Sequence, residues 1–241
     1  MKRLVVEDGL RGVTSNPAIF EKAIVGSTDY QAVIESEESA TLNAKALYEK
    51  IAVSDVQDAA DILRSVYDES KQRDGYVSLE VSPLLARDTA GTIEEARRLW
   101  KAVNRPNLMV KVPATPQGIP AIRQLISEGI NVNVTLLFSR DVYEEVATAY
   151  IEGLTARAAT GADVSRVASV ASFFVSRIDS KLDVEITSQL NRTIDATQGI
   201  RLNGLLGKVA IANAKLAYHR FTELYSGEVW EALAKKGAQP Q

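Results

Sequence analysis

An α/β fold whose parallel strands curl around a polar axis is what this sequence predicts, and three observations carry that expectation. Strand-like and helical segments alternate along most of the chain. Several of the strand-like segments are polar at every second position. One of them, Leu108-Met-Val-Lys-Val-Pro113, sets a lysine inside an otherwise apolar run.

The first strand is expected over residues 10–16, where Gly12, Thr14 and Asn16 share a face. Residues 27–72 add two or three helices, with Val56, Ala59, Leu63, Val66 and Ser70 marking one stripe. The second strand, 76–82, sets Ser78, Glu80 and Ser82 against Val77, Leu79 and Val81, because successive side chains in a strand point to opposite faces. Ile93, Ala96, Trp100 and Val103 then repeat at helical spacing. In the third strand, 107–113, Leu108, Met109, Val110 and Val112 flank Lys111 and Pro113 closes the run. A short apolar run stopped by proline reads as a strand buried on both faces, as in a parallel sheet. A shorter helix over 120–129 carries Pro120 in the first turn, where proline is tolerated. The fourth strand, 131–137, alternates Asn131, Asn133 and Thr135 with Val132, Val134 and Leu136. Val142, Val146, Ala149, Gly153 and Leu154 mark the next helix, and a fifth strand over 167–174 repeats the alternation weakly with Val170 and Ser172. From about 175 to 235 the chain reads as helical, including an amphipathic run over 205–225. Strand, helix, strand is the βαβ rhythm of a parallel sheet. No linker interrupts it, so one domain over 1–241 is expected, with extra helices at 27–72.

Composition narrows the function classes. With 241 residues, 46% hydrophobic and 24% charged, the chain has the make-up of a globular protein with a sizeable core. Its net charge of −3 with interspersed signs offers no basic stripe for nucleic acid. The absence of cysteine rules out disulfides and thiolate metal sites and fits a cytoplasmic setting. No apolar run approaches the roughly 18 residues of a membrane span, and the N-terminus turns acidic too soon for a signal peptide. Phosphate-loop, dinucleotide and His/Cys zinc motifs do not occur, so no cofactor or metal is expected.

The polar positions carry the chemistry. A polar inner face repeated on neighbouring strands suggests a barrel with a site on its axis, near the C-terminal strand ends where Asn16, Glu80, Lys111 and Thr135 fall. An antiparallel sheet with one wet face gives the same alternation, but the intervening helices argue against it. Lysine is almost never fully buried unless paired or chemically needed. Burial favours the neutral amine, which is the form that attacks a carbonyl to give a Schiff base. The plainer alternative makes Lys111 an edge-strand lysine with its head in solvent.

Taken in order, Gly12-Val-Thr-Ser-Asn-Pro-Ala-Ile-Phe20, the Glu80 strand, Leu108-Met-Val-Lys-Val-Pro-Ala-Thr115, Gly129-Ile-Asn-Val-Asn-Val-Thr-Leu-Leu-Phe138, Val170-Ala-Ser-Phe-Phe-Val-Ser-Arg177 and Leu205-Leu-Gly-Lys-Val-Ala-Ile-Ala-Asn-Ala-Lys215 resemble signature segments of transaldolases, most closely the longer bacterial type. The resemblance implies an eight-stranded (β/α)8 barrel that works through a Schiff base without metal or cofactor. It implies transfer of a dihydroxyacetone unit from a ketose phosphate such as sedoheptulose 7-phosphate to glyceraldehyde 3-phosphate, in the pentose phosphate pathway, with sugar phosphates as the partners. By the same resemblance Lys111 is the nucleophile, and Glu80 and Thr135 hold a water for proton shuttling. Asn16 and Asn133 bind the hydroxyls of the transferred unit, with Thr14 on the same face, while Ser172 and Arg177 lie near the sugar phosphate. The residues alone leave other roles open: Glu80 as a structural partner of Lys111, Asn131, Asn133 and Thr135 as an internal hydrogen-bond ladder, Arg177 as a solvated helix residue. His219, mid-helix beside Tyr218 and Phe221, reads as structural.

The departures from the family pattern are equally specific. Family barrels begin with a strand bearing an acid/base aspartate, and no residue here occupies that position. About five strands are recognisable against the eight of a closed barrel, the first, seventh and eighth being unmatched, so an incomplete barrel with two edges and an exposed apolar face is expected. Two other functions remain in view: another class I lysine aldolase, and a catalytically impaired fragment serving as a binding or assembly subunit.

Overall fold

The structure is a computed structural model that describes residues 1–36 and 39–241. Its centre is a five-stranded, all-parallel sheet in the sequential order β1-β2-β3-β4-β5. The strands are β1 (Val13–Thr14), β2 (Val77–Glu80), β3 (Leu108–Pro113), β4 (Val132–Leu137) and β5 (Ser169–Phe173). Each of the five segments expected to be a strand is one. Sequential parallel order distinguishes a barrel-type arc from a doubly wound sheet, whose order reverses at a switch point.

Three helices connect the strands from β2 onward in pure βαβ fashion and a block of helices precedes them. In chain order these are α1 (Lys2–Glu7), α2 (Pro17–Gly26), α3 (Gln31–Ile34), α4 (Ala44–Ile62), α5 (Arg64–Glu69), α6 (Thr89–Val103), α7 (Gly118–Glu128) and α8 (Arg140–Ala159). After β5 come α9 (Ser176–Leu190), α10 (Ala196–Asn203), α11 (Val209–Leu224) and α12 (Glu228–Ala234). Within 27–72 the described residues form α3, α4 and α5 with a short 3-10 helix at Ser39–Thr41 and turns between them; residues 37–38 lie outside the described residues. The single stripe expected there is split, because the chain breaks at Leu63 between α4 and α5. The amphipathic run expected from 205 begins only at Val209, since Gly207 takes a left-handed φ of 65° that an α-helix excludes.

The apolar faces of β2, β3 and β4 build the core against the helices. Val110, Val112, Val132 and Val134 are fully buried with Leu125 and Ile126 of α7 and Val146 and Tyr150 of α8. On the other face the sheet curls. Asn133 of β4 donates to the Ser78 hydroxyl of β2 at 2.9 Å across the intervening strand. Adjacent strands sit about 4.8 Å apart, so a flat sheet would hold these two side chains too far apart to bond directly. The inner face is not wholly polar: Val170 lies on it 40% exposed, and Met109, in register with Ser78, is buried there.

One alternation fails. Leu136 was expected on the apolar face but is exposed, with φ of 61°, at an irregularity between Val134 and Leu137. A bulge places two residues where one would pair, and fully buried Leu137 takes the core position instead.

The end of β3 is held closely. The Gly118 N–H donates to the Thr115 hydroxyl at 2.9 Å, and a Cβ on Gly118 would be driven into the Pro113 carbonyl. Gly118→Ala is therefore expected to destabilise the fold by about 1–3 kcal/mol through overpacking. Urea midpoints measure this, and an unchanged midpoint would overturn it.

Candidate active site

The parallel register assembles one row of side chains from four strands. Glu80 of β2 pairs with Lys111 of β3, Lys111 with Asn133 of β4, and Asn133 with Val170 of β5. Lys111 is 8% exposed overall, and its Nζ lies 3.2 Å from Glu80 Oε2. The amine also donates to the Ser15 carbonyl just beyond β1, at 3.4 Å. Ser15 is buried, and its own hydroxyl donates to the Ser78 carbonyl at 2.7 Å, which ties Ser15 to β2. The lysine head is therefore enclosed rather than solvated, ruling out an edge-strand lysine.

Asn133 is committed at both ends. Its amide nitrogen donates to Ser78 and its Oδ1 accepts the Ser172 hydroxyl at 2.8 Å. The hydrogen-bond ladder read as an alternative in the sequence thus exists around Asn133. Asn131 instead straps the other end of the sheet, donating to the Leu108 carbonyl at 3.0 Å and accepting the Ala168 N–H at 2.9 Å. Thr135 is buried, one inward position beyond Asn133. Its carbonyl accepts the Ala114 N–H at 2.8 Å, and its hydroxyl bonds none of the described residues.

The remaining expected residues sit at the rim. Asn16 caps α2, accepting the Ile19 N–H at 2.9 Å, so only its amide nitrogen stays uncommitted. Thr14 is exposed on β1. Arg177, on the first turn of α9, is exposed and stacks over the Phe174 ring at 4.6 Å, while Phe174 in turn stacks on Phe138. Among the described residues no carboxylate pairs with that guanidinium, and none lies in a group of His, Asp or Glu able to hold a metal.

Three contributors were missed by reading the sequence. Ser15 and Ser78 matter through partners more than sixty positions apart along the chain. Tyr48 of α4 is half-buried, and burial first, then the nearby Glu80 and Glu49 carboxylates, hold its hydroxyl above the usual tyrosine range. The alternation of β2 flagged the face that Ser78 shares, but nothing local flags Ser15 or Tyr48. The arrangement as a whole offers an enclosed primary amine, a carboxylate to exchange protons with it, and hydroxyl and amide groups along one wall. Those are the parts imine chemistry requires.

The family model described as transaldolase/fructose-6-phosphate aldolase matches residues 1–239. The transaldolase of Trichodesmium erythraeum is 51% identical over 100% of this chain and 63% of the relative. Transaldolase 2 of a Nostoc species is 50% identical, covering 100% of this chain and 64% of its own, and the transaldolase of Thiobacillus denitrificans is 45% identical with 100% and 65% coverage. The chain spans less than two thirds of the length of these relatives. No helix among the described residues is long and apolar enough to cross a membrane. A five-stranded parallel arc with an enclosed lysine, matched along nearly its whole length by one family, places this chain in the transaldolase/fructose-6-phosphate aldolase family.

Proposed function

We propose that this chain carries the Schiff-base chemistry of a transaldolase, moving a dihydroxyacetone unit between sugar phosphates. The single observation that supports this best is the enclosed Lys111 amine 3.2 Å from the Glu80 carboxylate. In this reading the neutral amine adds to the ketone carbon of a ketose phosphate, and loss of water gives an imine. Cleavage of the neighbouring carbon–carbon bond releases an aldehyde and leaves the three-carbon unit on Lys111. Addition to an acceptor aldehyde and hydrolysis then regenerate the amine. Sedoheptulose 7-phosphate and glyceraldehyde 3-phosphate are the proposed pair, which places the reaction in the pentose phosphate pathway of the cytoplasm.

The other residues take roles consistent with their positions. Glu80 receives the amine's proton and, with the uncommitted Thr135 hydroxyl, holds the water that carbinolamine dehydration releases and imine hydrolysis consumes. Asn133, Thr14 and the amide nitrogen of Asn16 bind hydroxyls of the transferred unit. Ser172 and Arg177, which pairs with no carboxylate among the described residues, face the phosphate, for which a planar guanidinium is well suited.

Incubation with fructose 6-phosphate and borohydride should leave a stable mass adduct on the peptide containing Lys111. A folded chain with no adduct, or with its adduct on another lysine, would sink the reading. A second reading, fructose-6-phosphate aldolase, is favoured by the family description itself, which joins both activities. Acceptor dependence separates them: a transaldolase turns over only when an aldehyde acceptor is present, whereas an aldolase releases free dihydroxyacetone.

A further inference from the structure

Beside the Lys111–Glu80 pair lies a second, nearly buried carboxylate that the chemistry above does not use. Glu95, on α6, is 8% exposed. Its Oε2 accepts the Ser82 N–H at 2.8 Å, while Oε1 is met by Lys45 Nζ at 3.2 Å and Arg98 at 3.3 Å. Arg98 in turn grips Glu49 with both terminal nitrogens. Lys45 and Glu49 both come from α4, within the helical segment at 27–72.

The position of Ser82 gives this contact its meaning. Glu80 is the last residue of β2 in register with β3, and the Val81 N–H closes the ladder on the Lys111 carbonyl at 3.1 Å. Ser82 therefore carries the first backbone N–H beyond the sheet, two residues from the carboxylate that touches the lysine. A half-buried amide there needs an acceptor, and Glu95 supplies a charged one, the stronger kind. Pro83 follows, so the strand cannot continue and no later amide can take over the role at once. Glu80, Ser82, Glu95, Lys45 and Tyr48 line one cavity of about 560 Å³, so the latch and the lysine's partner share a wall.

We infer that Glu95 is a positioning residue: its carboxylate latches the Ser82 amide and so keeps Glu80 aimed at Lys111, with Lys45 and Arg98 holding the latch in place from α4 and α6. This rests on the Schiff-base reading of Lys111. The backbone amide, more than the ion cluster, is the point of action, and the two can be separated. Glu95→Gln keeps an oxygen acceptor for Ser82 but loses the charge. Glu95→Ala loses both. Ser82→Pro removes the donor at a φ of −55° and ψ of 130° that proline adopts freely, and its Cδ, standing where the amide hydrogen was, also pushes the Glu95 carboxylate off that position.

The rate of borohydride-trapped adduct formation with fructose 6-phosphate should fall at least tenfold in Glu95→Ala and in Ser82→Pro, yet stay within about threefold of the parent in Glu95→Gln. Hydrogen exchange at the Ser82 amide should speed up in Glu95→Ala and not in Glu95→Gln. If Glu95→Ala does not fold, Ser82→Pro and Glu95→Gln still decide the matter. Equal adduct rates in the parent and in Ser82→Pro would overturn the latch, and so would a Glu95→Gln as slow as Ser82→Pro. An unmodified chain that forms no adduct overturns the parent reading instead, a result distinct from either.

Discussion

Replacing Lys111 by methionine should remove the borohydride-stable adduct entirely and, separately, destabilise the fold. The first effect follows because a thioether cannot form an imine, and no other lysine stands in the row formed by Glu80, Asn133 and Val170. The second follows from Glu80, whose side chain is only 17% exposed and whose 3.2 Å partner would be lost. Breaking a buried ion pair from one side costs about 3–5 kcal/mol, because the survivor remains desolvated without its counter-charge. Glu80 keeps some contact with solvent, so about 2–3 kcal/mol is expected here. Removing the second charge should return most of that. The double variant Lys111→Met with Glu80→Gln should be more stable than Lys111→Met alone, with a coupling of about 1–3 kcal/mol in a double-mutant cycle. Urea unfolding of the four chains supplies the cycle, provided the slopes of the transitions agree. Strictly additive effects would show that the two charges do not share an energy, and Glu80 would then be a poor candidate for the amine's proton partner.

Much of this site could be read from the sequence because strand parity is a local property. Lys111 stood out as one charge in an apolar run ended by Pro113, and Glu80, Asn133 and Thr135 fell on its face by counting in twos. The structure places all four on the inner side of neighbouring strands. What could not be read is whatever depends on a distant partner. Glu95 looks in sequence like one more charge on an amphipathic helix, and only folding brings it to the Ser82 amide. Asn16 looks like a ligand for hydroxyls, yet half of its side chain is spent capping α2. Leu136 obeys the alternation of its strand on paper, and a bulge there turns it out of the core. Arg177 is placed near a phosphate by resemblance, and its guanidinium rests on an aromatic ring whose neighbour, Phe138, follows β4. Hydrogen-bond partners, caps and bulges are settled by tertiary geometry, so they escape any reading of period or propensity.

The alkaline side of the stability curve should be steep, and the reason lies in buried tyrosines around α8. Tyr143 is 5% exposed, and burial pushes its hydroxyl up from 10.0 to about 12. Tyr150 is fully buried and is raised further by the same cause, while donating to the Gln239 carbonyl at 2.8 Å. Tyr225 is raised by burial first and then by the neighbouring Tyr143 and Tyr150. Tyr30 is also held up to about 12, by its hydrogen bond to Asp55, but water screens that pair, so the weight falls on the buried three. For each buried group the folded value lies above the unfolded one. Its contribution is therefore fully present below about pH 10 and is lost as the pH climbs from there towards the folded value. Each tyrosine that ionises only in the unfolded chain costs about 1.4 kcal/mol per pH unit. Three of them between about pH 10 and pH 12 approach about 8 kcal/mol, comparable with the whole 5–15 kcal/mol that stabilises a typical domain. The chain should therefore unfold cooperatively before about pH 12, with the ultraviolet absorbance of tyrosinate rising in the same step as helical circular dichroism is lost. Tyr150→Phe keeps the ring and removes the ionisable hydroxyl, so it should move that midpoint upward even if it lowers stability at neutral pH. A tyrosinate signal that grows gradually around pH 10 while the dichroism holds steady would mean that these hydroxyls reach water in the folded chain, contrary to the packing of α8 against β4 and β5.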